Sequence, residues 1–121
     1  MSNFLEMSKK TFITWEEVEC FINWLVQTLN KDHKHYVGVY GVPRGGLIFA
    51  VILSYRLNIP LLTAPCEKCL VIDEISATGS TLKPLEKRYD IATMHYYYKS
   101  EIKPLYFYKT IIDEWIVYPW E

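Results

Sequence analysis

The 121-residue chain is half hydrophobic and 16% aromatic, enough apolar material for one sizeable core, and its length predicts a single domain spanning residues 1 to 121. Its 13 basic and 14 acidic residues leave a formal net charge of -1, which excludes a broad basic field for nucleic acid and a polybasic surface for lipid. No apolar run reaches membrane-spanning length and Met1 to Lys10 lacks the apolar centre of a signal peptide, so a cytoplasmic protein with no membrane or nucleic-acid partner is expected.

Residues 1 to 13 read as a loose lead-in, with Phe12 and Ile13 pairing at a sheet edge. Thr14 and Glu17 have the spacing of a capping box, and Val18, Phe21, Ile22, Leu25, Val26 and Leu29 then fall on one face, predicting a helix from Trp15 to Leu29. Asn30 to His35 is a polar turn with His33 and His35 in solvent. Tyr36 to Tyr40 is the first buried strand and ends at Gly41. The glycine-rich GVPRGGL, Gly41 to Leu47, leads into IFAVILSYRL, whose apolar residues lie all round, as in a helix buried against a sheet; Asn58 and Pro60 stop it. Strand, glycine turn and helix start make an anion-accepting corner with Arg44 as its cationic side chain. Glycines after a strand also serve a simple tight turn.

Ile59 to Leu62 is a short strand, joined by Thr63 to Lys68 to the stretch richest in chemistry, CLVIDEISATGSTL, Cys69 to Leu82. Cys69 to Ile72 carry no polar break, as in a strand buried on both faces, and run into Asp73 and Glu74. Thr78, Gly79, Ser80 and Thr81 put amides and hydroxyls at the start of a predicted helix, an arrangement that suits a phosphate group but would also cap an ordinary helix. Ionised carboxylates one turn earlier can accept from sugar hydroxyls or help anchor a metal ion. Together these residues predict a ribose-5-phosphate cradle. Pro84 shortens or breaks the helix, which should end near Arg88. Ile91 to Tyr98 is a further strand, with Met94, Tyr96 and Tyr98 on one face and His95 and Tyr97 on the other. Leu105 to Ile112 is an edge strand and Asp113 to Glu121 an irregular tail.

Cys20, Cys66 and Cys69 are an odd number and not a disulfide framework. Cys66 and Cys69 form a CxxC, but no second ligand pair accompanies it and His33 and His35 lack zinc-finger spacing, so the two thiols read as packed neighbours.

The Cys69 to Leu82 stretch resembles the signature of the type I phosphoribosyltransferases: an apolar run, an acidic pair, three variable positions, then Thr-Gly-x-Thr. It is not a Walker A loop, which places a lysine after the glycine. The Arg44-Gly45-Gly46 turn resembles that family's pyrophosphate loop. The end of the chain, DEWIVYPWE, with Lys99 sixteen residues before Trp115, resembles the base-binding hood of the xanthine-guanine and hypoxanthine phosphoribosyltransferases, and ITWEEV, Ile13 to Val18, resembles their start.

The resemblance implies an α/β fold, a mostly parallel sheet of about five strands flanked by helices, with residues 99 to 121 as a small C-terminal hood. It implies Mg-dependent transfer from phosphoribosyl pyrophosphate to a purine-like base, a 6-oxopurine favoured, giving nucleoside 5-monophosphate and pyrophosphate. Asp73, Glu74 and Arg44 would carry the catalysis, the two acids holding ribose hydroxyls and Mg. Ala77, Thr78, Gly79, Ser80 and Thr81 would hold the 5-phosphate, and Arg44, Gly45 and Gly46 the pyrophosphate. Lys99 would meet the purine 6-oxo group, Trp115 stack on the ring and the Ile116 backbone read its edge; without a base, Trp115 and Trp120 would simply anchor the tail on the core.

Two departures from the family pattern stand out. Thr63 to Lys68 leaves no room for the long flexible lid usual there, so either a neighbouring subunit of a homo-oligomer covers the site or a monomer transfers slowly and loses substrate to water. Ala77 stands where 6-oxopurine enzymes carry an aspartate beside purine N7. Both favour the alternative function, a non-catalytic binder of a nucleotide or phosphoribosyl pyrophosphate that acts through a partner.

Overall fold

A computed structural model describes residues 9–121; of the loose lead-in expected over residues 1–13, residues 1–8 lie outside the described residues and Lys9–Phe12 is a strand. The strand β1 (Lys9–Phe12) is followed by α1 (Trp15–Lys31). Thr14 caps α1 as its spacing predicts: its hydroxyl accepts from the Glu17 amide at 3.1 Å, and Glu17 accepts from the Thr14 amide at 3.4 Å. Val18, Phe21, Ile22, Leu25 and Leu29 form the buried stripe, while Val26 is only half-buried. His33 and His35 are exposed.

Next come β2 (Val39–Gly41), α2 (Gly45–Leu57), β3 (Leu61–Leu62), β4 (Leu70–Ser76), β5 (Asp90–Tyr97), β6 (Tyr106–Ile111) and β7 (Glu114–Val117). Five of these strands form one sheet in the order β3-β2-β4-β5-β6, with every neighbouring pair parallel. On one face, Leu70, Ile72, Ala92 and Met94 pack with Phe21, Leu25, Phe49 and Leu53 of the two helices. On the other, Val71 and Ile91 pack with Val42, Leu82 and Ile102. The central strand β4 is therefore buried on both sides, which is what its unbroken apolar run requires. In β5, Ile91 to His95 are all buried, so alternation does not sort them into inside and outside.

Several local expectations change. β2 begins three residues later than expected; Tyr36 precedes it and donates its hydroxyl to Asp90 at 2.8 Å. β4 extends past Ile72, so Asp73 and Glu74 sit within the strand rather than after it. α2 starts at Gly45 and buries only Gly46, Phe49, Ala50 and Leu53, leaving Leu47, Val51 and Tyr55 exposed along one stripe. Its apolar sequence does not make it buried all round, because only one flank meets the sheet.

No helix follows Gly79. Residues 79–89 cross from β4 to β5 as successive turns, with Lys83 N–H on Gly79 O at 2.8 Å and Tyr89 N–H on Leu85 O at 3.1 Å. Pro84 has no N–H to donate and its ring opposes a continuous helix, so the expected helix-start phosphate site becomes a loop site.

The expected irregular tail is also corrected. β7 pairs in parallel with β1, and Ile13 N–H donates to Val117 O at 2.8 Å. Trp115, Ile116 and Val117 have strong strand propensity, but their partner comes from the other end of the chain. No helix among the described residues is long and apolar enough to cross a membrane.

Candidate functional site

The site lies where β2 and β4 release the chain side by side. Gly41 pairs with Ile72, and Val42 N–H continues the ladder to Ile72 O at 2.9 Å, so the Arg44 turn is delivered beside Asp73 and Glu74. A Cβ on Gly45 would run into the Glu74 carboxylate, so glycine is what allows the turn to press against the acids. The Pro43–Arg44 peptide is cis.

Asp73 and Glu74 are half-buried neighbours, and the Glu74 N–H donates to Asp73 Oδ1 at 2.8 Å. Burial pushes the Asp73 carboxyl up to about 7; the Glu74 N–H works against this and the Glu74 charge adds to it. Burial also raises Glu74 to about 7, followed by the nearby Glu121 charge. Near neutral pH the pair is therefore poised between protonated and ionised.

Beyond the acids, a hollow of about 190 Å³ is lined by Asp73, Glu74, Ala77, Thr78, Gly79 and Thr81, among others. Its loop is self-braced: Ser80 N–H donates to Thr78 Oγ1 at 3.2 Å, and Glu101 N–H donates to Thr78 O at 3.1 Å. Gly79 sits at φ +90, where its missing side chain also avoids the Ile102 amide, 2.8 Å from an added Cβ. Ser76 ties the loop base to Ile102 O at 2.6 Å.

On the Arg44 side, a cleft of about 670 Å³ is lined by Arg44, Gly45, Glu74, Trp115, Trp120 and Glu121, among others. A smaller hollow of about 240 Å³ brings Ala77 and Thr78 against Trp115, Ile116, Tyr118 and Glu121. The chain thus gathers the predicted acids, phosphate loop, arginine turn and hood residues Trp115 and Ile116. Lys99 is not gathered with them: it is exposed, its ammonium 5.5 Å above the Tyr98 ring, and it lines none of these three hollows.

Three residues outside the predicted set belong to the site. The Tyr118 hydroxyl donates to Glu74 O at 2.9 Å, Trp120 Nε1–H donates to Glu74 Oε2 at 3.2 Å, and Glu121 lines both hood-side hollows. The available signal was the dense run Tyr118-Pro119-Trp120-Glu121, of which the sequence reading used only Trp120, as an anchor of the tail. Cys66 is exposed and Cys69 buried, the latter's thiol pushed up by burial; both are free.

No protein-family model matches the chain. It is 26% identical over 143 residues to the xanthine-guanine phosphoribosyltransferase of Idiomarina loihiensis, covering 94% of this chain and 88% of that protein. Among solved structures, the purine phosphoribosyltransferase of Pyrococcus horikoshii superposes with a TM-score of 0.81 at 29% identity, covering 93% of this chain and 94% of that one. The xanthine-guanine-hypoxanthine phosphoribosyltransferase of Helicobacter pylori gives the same TM-score of 0.81 at 19% identity, covering 93% of each. The fold is that of the type I phosphoribosyltransferases: a parallel five-stranded sheet flanked by helices.

Proposed function

We propose that this chain transfers the phosphoribosyl group of phosphoribosyl pyrophosphate to a purine-like base, a 6-oxopurine in preference, releasing a nucleoside 5-monophosphate and pyrophosphate. The observation that carries this reading is the convergence of three groups at the carboxyl ends of β2 and β4: the acidic pair, the Thr78-to-Thr81 loop and the Arg44 turn. The hollows they line are separate but share Glu74, and Trp115 lines two of the three.

In this reading the loop amides and the Thr78, Ser80 and Thr81 hydroxyls hold the 5-phosphate. Asp73 and Glu74 accept from the ribose hydroxyls, and Arg44 with the amides of Gly45 and Gly46 holds the pyrophosphate. Trp115 stacks on the base beside the Ile116 backbone, with Lys99 swinging from Tyr98 to the 6-oxo group. The residues fit Mg in one respect: two carboxylates are hard oxygen donors. No cluster of three His, Cys, Asp or Glu among the described residues could hold a metal unaided, so Asp73 and Glu74 would share the ion with substrate oxygens. When bound, Mg supplies charge neutralisation on the leaving pyrophosphate.

Cleavage at the anomeric carbon leaves an oxocarbenium-like centre, so the chain's own work is to align base and sugar and to keep water out. Residues 63–68 are too short to form a cover. The apolar stripe Leu47, Val51 and Tyr55 offers a neighbouring copy of the chain a face to pack on, and such a copy would supply the cover. A second reading, a non-catalytic nucleotide or phosphoribosyl pyrophosphate binder, is favoured by that short link and by Ala77.

The test is to incubate the protein with Mg, phosphoribosyl pyrophosphate and a panel of bases, and to follow pyrophosphate. Release that depends on a 6-oxopurine supports transfer. Binding of phosphoribosyl pyrophosphate with no release for any base supports the binder. Absence of both removes the proposal.

A further inference from the structure

The tail that follows the base side of the cleft also takes hold of the acidic pair. Four residues separate Trp115 from Trp120, and between Tyr118 and Trp120 the chain contacts Glu74 at two atoms. Tyr118 donates to the Glu74 carbonyl at 2.9 Å, and Trp120 Nε1–H donates to the carboxylate at 3.2 Å. The two rings lie nearly parallel, 9° apart with centroids at 5.3 Å, and the edge of Phe49 meets the Trp120 ring at 5.2 Å. Tyr118 is 3% exposed.

Behind Tyr118 stands His95, 2% exposed, its Nδ1 at 2.8 Å from the Tyr118 hydroxyl. The Tyr118 proton is committed to the Glu74 carbonyl, so the Tyr118 oxygen must accept, and His95 carries its proton on Nδ1. Burial, with the Lys109 charge adding to it, brings His95 down to about 4, which keeps the ring neutral near neutral pH. β5, β4 and the hood are thereby joined in one buried chain of hydrogen bonds.

We infer that Tyr118 and Trp120 are positioning residues that clasp Glu74, so that filling the base cleft and filling the phosphoribosyl site strengthen each other. The inference rests on the phosphoribosyl-transfer reading of the site. A base stacked on Trp115 fixes the strand that leads into Tyr118 and Trp120, and these fix both the backbone and the carboxylate of Glu74. A ribose held by Glu74 fixes the tail in return, because coupling between two binding sites is reciprocal.

The experiment uses Mg with phosphoribosyl pyrophosphate as one ligand and 9-deazaguanine, whose acceptor nitrogen is replaced by carbon, as the other. Calorimetry measures each ligand alone and in the presence of the second. The wild-type chain should bind 9-deazaguanine at least about 5-fold more tightly when phosphoribosyl pyrophosphate is present. Trp120→Phe keeps an aromatic ring and removes the donor, so the ratio falls toward one. Tyr118→Phe, which removes the other contact, is the second variant and should lower the ratio in the same direction. A role confined to stability would shift the melting temperature and leave the ratio unchanged. A ratio of one in the wild-type chain, or the wild-type ratio in both variants, overturns the clasp while leaving the transfer reading in place. Failure of the wild-type chain to bind either ligand overturns that reading and the clasp with it.

Discussion

Asp73→Asn isolates the electrostatic cost built into the site. The amide keeps the size of the carboxyl and can still accept the Glu74 N–H through its oxygen, now 2.8 Å away. In the folded chain the Asp73 carboxyl is raised from 3.8 to about 7, so between those values the native state holds a proton that the unfolded chain has released. The sign follows: stability falls as pH rises through this window, and the fall is complete once pH passes about 7. For one carboxyl with these two values, the loss between about pH 5 and about pH 8 is roughly 2 to 3 kcal/mol, at 1.36 kcal/mol per pKa unit. Asp73 keeps partial contact with water, which favours the lower figure. Urea unfolding at the two pH values reads the effect directly. The wild-type chain should lose that much more stability than Asp73→Asn over the interval, while Mg with phosphoribosyl pyrophosphate should stabilise the wild type more at the higher pH. Parallel stability curves for the two proteins would refute the reasoning, since the carboxyl would then titrate normally in the fold.

Gly79→Asp puts a side chain and a negative charge into the loop at φ +90, and calorimetry should show nucleoside 5-monophosphate binding sharply weakened; equal affinity would remove the loop from the phosphate site. Trp115→Ala should cost about 1 to 3 kcal/mol of base affinity, the usual worth of one stacking ring, and a fluorescence titration that shows no change would place the base elsewhere. Light scattering beside a transfer-to-hydrolysis ratio tests the cover: either an oligomer transfers cleanly or a monomer hydrolyses phosphoribosyl pyrophosphate appreciably, and a strict monomer that transfers without hydrolysis would show that the short 63–68 link is no handicap. Thr14→Ala should destabilise the fold by about 1 kcal/mol through loss of the α1 cap, measured by thermal unfolding, with ligand affinity unchanged.

What the sequence determined by itself was whatever a few consecutive residues encode. The Thr14 and Glu17 capping box, the α1 stripe and the buried β4 run follow from spacing and periodicity, and the structure reproduces them because their hydrogen bonds and burial are set within one element. The acids, the Thr78 loop and the Arg44 turn stood out as local patterns, but the acids lie inside β4 rather than after it and the Thr78 loop starts no helix. Tertiary structure decided the rest. Whether one flank of an apolar helix is covered depends on what lies beside it, so the exposed Leu47, Val51 and Tyr55 could not be read from α2 alone. Pro84 marked a weak helix, but only packing of Leu82 and Leu85 against the sheet fixed turns in its place. The tail needed a strand from the opposite end of the chain: Thr11 donates to Glu114 at 2.6 Å across 103 residues, a pairing that no local pattern specifies. Once β1 held β7, Tyr118 and Trp120 were carried onto Glu74 while Lys99 was left above Tyr98, because side-chain partners are chosen by where backbones meet and not by residue type.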